Sequence, residues 1–459
     1  MKEIKNKVNT NKITEGSIFG QLLLFFFPIL FGTFFQQLYN TADAVVVGRF
    51  VGKQALAAVG GTTSTLINLL VGFFVGLSSG ATVVISQFYG ARKPDKVHWA
   101  VHTAVAFSLI GGVLFMIIGV VFAHMALSAM HTPEDVLTYA VVYIRIYFLG
   151  MIPNLIYNMG AGILRAVGDS KRPLYFLIGS CMVNILLDLI LVAGLRLGVA
   201  GAAIATVISQ MASCAFVLLS LRSHKMPVRL GWGGFQASVI RRIVTFGFSP
   251  FLILASDSIL LIVLNTVLQK YGGPGEGDTL VTCATIVQSY LLLITMPMGG
   301  ITLGSQPVVS FNYGKGDPDR IKKAIQCITG LCVIFCIFMT IVTQTISPLY
   351  VRLFTTDSVI LARSVTYIKR FTAMIIPLAI QYPLVDETTA LGKVGQALFC
   401  SAFRKCVFFT GLLLLPALFT ADAAFFSEPI ADVISATMTS ILFLHRFPRI
   451  LKECQNQHL

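Results

Sequence analysis

Two carboxylates stand in or beside long apolar segments, where a cation could bind them. Asp43 follows a run from Ser17 to Ala42 that contains no charged residue, and Asp188 ends the segment NILLD. A carboxylate near the bilayer centre costs at least ~2.5 kcal/mol, so such residues usually face a cavity and work there. Two carboxylates in a low dielectric can take up and release a proton. Their oxygens could equally surround Na⁺, so residue types predict an ion-binding site and leave H⁺ and Na⁺ open.

Polar side chains share a helix face with the first carboxylate. Gln36, Asn40 and Asp43 follow the i, i+4, i+7 spacing of one side of a helix. Tyr39 lies one turn before Asp43. We predict that Gln36, Tyr39 and Asn40 support the ion site or line a substrate cavity.

The second carboxylate has a similar setting. Asn184 lies one helical turn before Asp188, and Thr206 in the next apolar segment adds a hydroxyl. At ~1.5 Å per residue, Asp43 and Asp188 both lie roughly 10 Å inside the outer ends of their segments. The predicted ion-binding residues are Asp43, Asn184, Asp188 and Thr206.

The other acids in apolar segments differ in how strongly the sequence indicates a functional role. Asp257 lies near the middle of the seventh segment, and we predict either a second ion site or a counter-charge for a cationic substrate. Asp386 and Glu387 lie near the inner end of the tenth segment, where access of solvent is expected, and carry less weight. Asp432 in the twelfth segment is equally open to a structural and a functional role.

The composition requires a membrane to cover the apolar surface. Of 459 residues, 56% are hydrophobic and 12% are charged, and several uncharged runs exceed the roughly 20 residues that cross a bilayer as a helix. The nine cysteines are odd in number and lie mostly in apolar segments, which indicates buried thiols and neither disulfides nor a metal site. The predicted fold class is an all-α membrane protein. We predict twelve spans, at about 17–47, 55–86, 98–123, 136–161, 173–195, 198–221, 243–269, 280–311, 324–347, 360–390, 403–421 and 428–446.

The positive charge indicates topology. The net charge is +14, and most of the 34 basic residues fall before the first span, in every second loop, or after the last span. Cytoplasmic loops carry excess Lys and Arg, so we predict that both termini face the cytoplasm and that nucleic acid is not a partner.

The chain repeats itself at an offset of 224 positions. Gly76, Gly80 and Tyr89 fall on Gly300, Gly304 and Tyr313, and the same offset aligns residues 143–168 with 367–392. We predict two homologous six-helix bundles in parallel orientation, at 1–222 and 243–459, joined by a cytoplasmic linker at 223–242. Gly72, Gly76 and Gly80, spaced by four, predict close approach of a neighbouring helix.

Five segments together resemble the MATE (multidrug and toxic compound extrusion) family, most closely the bacterial branch of MepA and DinF. They occur in order along most of the chain: LYNTADAVVVGRFVGKQALAAVG, ISQFYGARKPDKV, LRAVGDSKRP, NILLDLILVAGLRLGVAGAAIAT and QPVVSFNYGKGDPDR. The resemblance implies a central cavity between the bundles and antiport of lipophilic, often cationic drugs against H⁺ or Na⁺. It implies the ion-site roles for Asp43, Asn184, Asp188 and Thr206, and it likens Asp257 to an acid of related members. The segment PLVDETTALG departs from the family pattern.

The sequence leads to a cation-coupled drug exporter of the bacterial cytoplasmic membrane, working by alternating access. We expect a monomer, no cofactor, no metal beyond Na⁺ at the ion site, and no enzymatic activity, since no nucleophile–base pair or cluster of metal ligands occurs. The alternative is a flippase for lipid-linked precursors of the same wider superfamily, which would favour a strongly basic cavity. A passive channel is a third possibility.

Overall fold

Helices account for nearly all of the structure. The computed structural model describes residues 17–60, 62–130, 132–223, 227–228, 230 and 235–456, and within them there is no β-strand. This confirms the predicted all-α class. In lipid, only a helix or a closed barrel satisfies every backbone N–H and C=O group, so uncharged runs of this length fold as helices.

Counted over the described residues alone, the first half of the chain contains eight α-helices and the second half seven. A π-helical segment, Leu189–Gly194, directly follows the seventh. The helices are α1 (Ile18–Phe50), α2 (Lys53–Gly60), α3 (Thr62–Gly90), α4 (Pro94–Ala129), α5 (Glu134–Leu149), α6 (Met151–Ala166), α7 (Lys171–Asp188) and α8 (Gly198–Arg222).

The second half contains seven α-helices. A 3₁₀ segment, Ala421–Phe426, precedes the last of them. The helices are α9 (Ala237–Gly272), α10 (Glu276–Lys315), α11 (Pro318–Arg352), α12 (Ser358–Phe371), α13 (Ile375–Ala390), α14 (Val394–Leu418) and α15 (Ser427–Asn456).

These helices fit the predicted twelve spans. In the described part of the chain, ten are long and apolar enough to cross a membrane, and the pair α5–α6, bent by 52°, makes an eleventh. The predicted tenth span corresponds to α12 and α13, whose charges include Lys369, Arg370, Asp386 and Glu387. Those charges lower its hydropathy, which is why composition alone does not identify this span.

The eleventh span starts earlier than predicted. The sequence placed Arg404 and Lys405 at its inner edge, at residue 403, whereas α14 begins at Val394. At ~1.5 Å per residue, both cations lie roughly 15 Å along the helix. The prediction missed this because it used charge to set the boundary, and these charges have partners inside the protein.

The internal repeat is visible in the geometry. α6 and α13 have the same length and stand 224 positions apart. The Ser86 hydroxyl donates to the carbonyl oxygen of Ala166 at 3.1 Å, and Ser310 donates to Ala390 at 3.0 Å. One offset therefore relates helix bounds and a helix–helix hydrogen bond, as two homologous bundles require.

Two compact units divide the described chain. One contains residues 27–251, and the other contains residues 17–26 and 252–459. α1 and α9 each contribute to both units, and each divides near a proline, Pro28 or Pro250. The predicted domain limits of 1–222 and 243–459 remain a prediction. Much of the predicted linker at 223–242, namely 224–226, 229 and 231–234, lies outside the described residues.

Glycines bring α3 close to the first part of α9. A Cβ on Gly80 would lie 2.2 Å from the carbonyl oxygen of Ile243 and 2.7 Å from the backbone nitrogen of Gly247. A Cβ on Gly247 would lie 2.6 Å from the carbonyl oxygen of Gly76. Backbone atoms cannot move away as a flexible side chain can, so this packing requires glycine at all three positions.

Replacing Gly80 by alanine should therefore separate these two helices. We expect Gly80→Ala to lose about 1–3 kcal/mol of stability, the usual cost of overpacking, and to lower the melting temperature of the purified protein. Gly330→Ala is the matched control, because nothing lies within 4 Å of a Cβ at this helical position. Equal melting temperatures for the two variants would contradict the close packing.

Candidate functional site

Asp43 is buried inside the first unit. Its side chain is 4% exposed, and α1 places it beside Thr206 of α8, whose hydroxyl lies 3.1 Å from Asp43 Oδ2. The same hydroxyl lies 3.0 Å from the carbonyl oxygen of Ala202. A hydroxyl has one proton but can also accept. Thr206 can therefore donate to an ionised Asp43, or accept from a protonated Asp43 while it donates to Ala202.

α7 contributes an amide and a second carboxyl group to the same place. Asn184 and Asp188 are fully buried, one helical turn apart on one face. The side chains of Asp188, Thr206 and Asn184 all lie within interaction range of the Asp43 carboxyl group. The structure thus brings the four predicted ion-site residues together, from three helices.

Most polar atoms of this cluster have no protein partner. Asp43 Oδ1, both oxygens of Asp188 and both polar atoms of Asn184 are buried without a hydrogen bond to the protein. Buried polar groups are nearly always paired, and an unpaired buried carboxylate is costly. The cluster therefore has unused capacity for a cation.

The donor set suits a proton or a hard monovalent cation. In the described residues, no group of three or more His, Cys, Asp or Glu side chains is placed to hold a metal ion. This cluster has two carboxyl groups, an amide and a hydroxyl. Its unpaired oxygens are Asp43 Oδ1, Asn184 Oδ1 and the two of Asp188, which are hard ligands.

Tyrosine rings surround the two acids. Tyr143 and Tyr147 of α5 stack with their ring centroids 6.4 Å apart, and both lie close enough to Asp43 to interact electrostatically. Tyr39 of α1 is half-buried and interacts with both Asp43 and Asp188. The sequence analysis selected Tyr39 but not Tyr143 and Tyr147. Their spacing of one helical turn could have indicated that they share one face of α5.

The other two predicted residues of α1 are less enclosed. Gln36 is half-buried, and Asn40 is exposed. Their helical spacing is as predicted, but Asn40 is exposed and therefore is not part of the buried cluster. Their support of the site or of a substrate cavity remains a prediction.

Comparison with known proteins assigns this architecture to a protein family. The family model MatE matches residues 28–190 and 254–412, which together are more than half of the chain. The chain belongs to the MatE family. The two matched regions begin 226 positions apart, close to the internal offset of 224, so the family match itself contains the repeat.

Bacterial relatives and solved structures of this family cover most of the chain. The probable multidrug resistance protein YoeA of Bacillus subtilis is 29% identical over 327 residues, 69% of either chain. The multidrug export protein MepA of Staphylococcus haemolyticus is 23% identical and covers 93% of this chain and 94% of its own. An outward-facing multidrug resistance MATE transporter has a TM-score of 0.88 at 21% identity, over 95% of this chain and 97% of that one. That likeness shows the shared fold.

Asp257, the predicted acid of the other half, already has a counter-charge. Its side chain is 55% exposed and forms an ion pair with Lys405 of α14 in this MatE fold. Sequence reasoning missed Lys405 because it placed that residue at the edge of its span. The proposed roles of Asp257, as a second ion site or a counter-charge for a cationic substrate, remain untested.

The second unit of this MatE chain also contains fully buried acids. Glu387 is 0% exposed and accepts a hydrogen bond of 2.8 Å from Ser305, while Asp386 interacts with Thr302. Asp432 is 0% exposed and forms an ion pair with Arg404. The sequence analysis assigned Asp386 and Glu387 little weight, because solvent was expected at this end of the span, and the burial of Glu387 corrects that expectation.

Removing the Thr206 hydroxyl should destabilise the cluster. Thr206→Val keeps the shape but leaves Asp43 Oδ2 without its donor, and we expect a loss of about 1–3 kcal/mol in a thermal unfolding measurement. Thr266→Val is the control, because that exposed hydroxyl donates only to Ile262 in its own helix. A Thr206→Val melting temperature no lower than that of the control would contradict the contact.

Proposed function

We propose that this MatE protein exports lipophilic, often cationic, drugs in exchange for a cation, which binds at Asp43, Asn184, Asp188 and Thr206. The observation that carries the proposal is the buried pair of carboxyl groups with unpaired oxygens. The names of the relatives support it, since they describe multidrug resistance and multidrug export. We propose no catalytic step, because transport across a membrane needs no bond to form or break.

The geometry favours H⁺ over Na⁺ as the coupling ion. Asp43 and Asp188 interact directly, and no Lys or Arg among the described residues contributes to the electrostatics of either acid. Two carboxylates in contact without a counter-charge repel each other strongly, and one shared proton removes that repulsion. Thr206 can serve the ionised and the protonated Asp43, as its two neighbours show. Na⁺ remains the competing candidate, because it would use the same oxygens.

Coupling arises because the cation and the drug favour opposite charge states of this cluster. When the cation leaves, the first unit contains a net negative charge, which favours a cationic drug in a nearby cavity. When a cation binds from outside, that charge is neutralised and the affinity for the drug falls. Linkage makes the effect reciprocal, so each ligand weakens the other by the same factor. Alternating access then converts this coupling into export.

Location and topology complete the proposal. The chain is a multi-pass membrane protein, and we place it in the bacterial cytoplasmic membrane as a monomer among lipids. Two basic segments support a cytoplasmic location: the α3–α4 loop, with Arg92 and Lys93, and the start of α11, with Arg320 and Lys322. Both termini would face the same side. Residues 1–16 and 457–459, on which that prediction partly rests, lie outside the described residues.

Ethidium efflux from preloaded cells that lack their own pumps tests the proposal. We expect efflux to follow an imposed pH gradient, and Asp43→Asn and Asp188→Asn to reduce it by at least about tenfold, since coupling energies are commonly ~1–3 kcal/mol. Asp135→Asn is the control, because this exposed acid lies in the first turn of α5, away from the cluster.

Each other outcome of the efflux experiment would contradict a specific part of the proposal. Efflux that follows a Na⁺ gradient would replace H⁺ by Na⁺ at the same residues. Efflux that survives both substitutions would remove the ion site from this cluster. A folded protein without efflux of any cationic drug would reject drug export and favour the flippase for lipid-linked precursors.

A further inference from the structure

The second unit does not repeat the ion cluster of the first. The offset of 224 carries its four residues onto aliphatic or aromatic side chains, three of them buried. No carboxylate, amide or hydroxyl is therefore available there. The equivalent positions of Asp43, Asn184, Asp188 and Thr206 are Val267, Phe408, Leu412 and Ile430.

A different charged cluster occurs in the second unit, between α14 and α15. Arg404 donates from Nε and Nη2 to Asp432 Oδ1, at 3.1 and 2.9 Å. The same Nη2 forms an ion pair with Glu428. Exposure of the side chains is 15% for Arg404, 8% for Glu428 and 0% for Asp432. One cation thus lies between two acids that are one turn apart on α15.

The cluster has one negative charge too many if both acids are ionised. Arg404 can neutralise only one of Glu428 and Asp432. Including the neighbouring Lys405 does not remove the difference, because its partner Asp257 adds a third acid, and two cations then face three acids. A net charge at this depth is expensive to bury, and a group in that situation usually changes its protonation instead.

The two acids differ in their surroundings. Glu428 lies in the first turn of α15, where the positive end of the helix dipole favours an ionised carboxylate. Asp432 lies a turn deeper, and its Oδ2 is buried without a hydrogen-bond partner. The excess proton therefore belongs on Asp432 Oδ2.

We infer that Asp432, clamped by Arg404 and balanced by Glu428, is a proton-binding site of the second unit, separate from the cluster at Asp43. Its ligand is a proton, because the guanidinium group already covers one oxygen of each acid. Of the oxygens of these two acids, only Asp432 Oδ2 is both buried and unpaired, which is too little for a metal ion that needs several oxygen ligands.

The groups that face this site leave its charge balance unchanged. From α11, Cys336 lies close enough to interact with Asp432, and from α13, Tyr382 lies close to Arg404. A thiol and a phenol are both neutral near pH 7. Lys405 also interacts with Glu428 and Asp432, and it forms an ion pair with Asp257 on α9, so these five charged groups comprise two cations and three acids. The other fully buried acid nearby in the fold, Glu387, hydrogen-bonds to Ser305 and not to this cluster.

Infrared titration of the purified protein tests this inference without transport. Protonated carboxyl groups have a C=O band that carboxylates lack, and difference spectra between about pH 5 and pH 9 report its loss. We expect Asp432→Asn to remove the intensity of one carboxyl group. We expect Glu428→Gln to remove it too, because Arg404 and Asp432 then balance one to one. Glu428→Gln adds no buried charge, so it provides the test if Asp432→Asn does not fold.

Two further variants separate this site from other acids. Asp422→Asn is the control, because that acid is partly exposed and paired with Arg370, and it should leave the band unchanged. Asp43→Asn changes the separate contribution of the Asp43–Asp188 pair, so the Asp432 band is measured as the difference between Asp43→Asn and the double variant Asp43→Asn/Asp432→Asn, where we expect it to remain. Intensity that is unchanged in both Asp432→Asn and Glu428→Gln, or no such difference in the Asp43→Asn background, would overturn the assignment.

Discussion

The cost of a charged side chain in a low dielectric is the constraint on which both clusters depend. A carboxylate inside the bilayer needs a counter-charge, a set of donors or a proton. The first unit gives Asp43 one hydroxyl and an amide neighbour, and the carboxyl oxygens of Asp188 have no hydrogen-bond donor among the described residues. In the proposed function, a bound cation offsets the cost of that arrangement. A site that requires its ligand for electrostatic reasons also responds when the ligand leaves, and this response is what a coupled transporter uses.

Gene duplication supplied two similar scaffolds and left their interiors free to differ. Equivalent hydrogen bonds, Ser86 to Ala166 and Ser310 to Ala390, show that the helix packing is kept. Polar side chains are not kept: Leu412 is found where the first unit has Asp188, and Arg404 where it has Ser180. Packing between helices constrains size and backbone approach, whereas a buried charge needs only a local partner. In our two proposals, the same fold binds a proton between two acids in one unit and beside an arginine in the other.

Sequence alone went far in the first unit for a specific reason. The one-turn spacing of Asn184 and Asp188 is a property of a single helix, and depth follows from counting residues along it. Those two quantities selected Asn184, Asp188, Asp43 and Thr206, which the structure brings together. The sequence did not indicate Tyr143 and Tyr147, because they approach Asp43 only through a contact between helices. The sequence did not indicate the pairing of Asp257 with Lys405 for the same reason. Asn40 was selected because the polar face of its helix is broader than the buried site.

The π-helical segment after Asp188 explains why this acid is placed at the end of a regular helix. In Leu189–Gly194 the backbone changes its hydrogen-bonding pattern immediately beyond the carboxyl group, and such segments are frequent at functional sites. Asn184 and Asp188 both lie within α7, so the wider turn changes the backbone constraint only beyond Asp188. Asp43 has no such change beside it, since α1 is α-helical on both sides of it. Of the two acids, only Asp188 therefore adjoins a change in backbone hydrogen bonding.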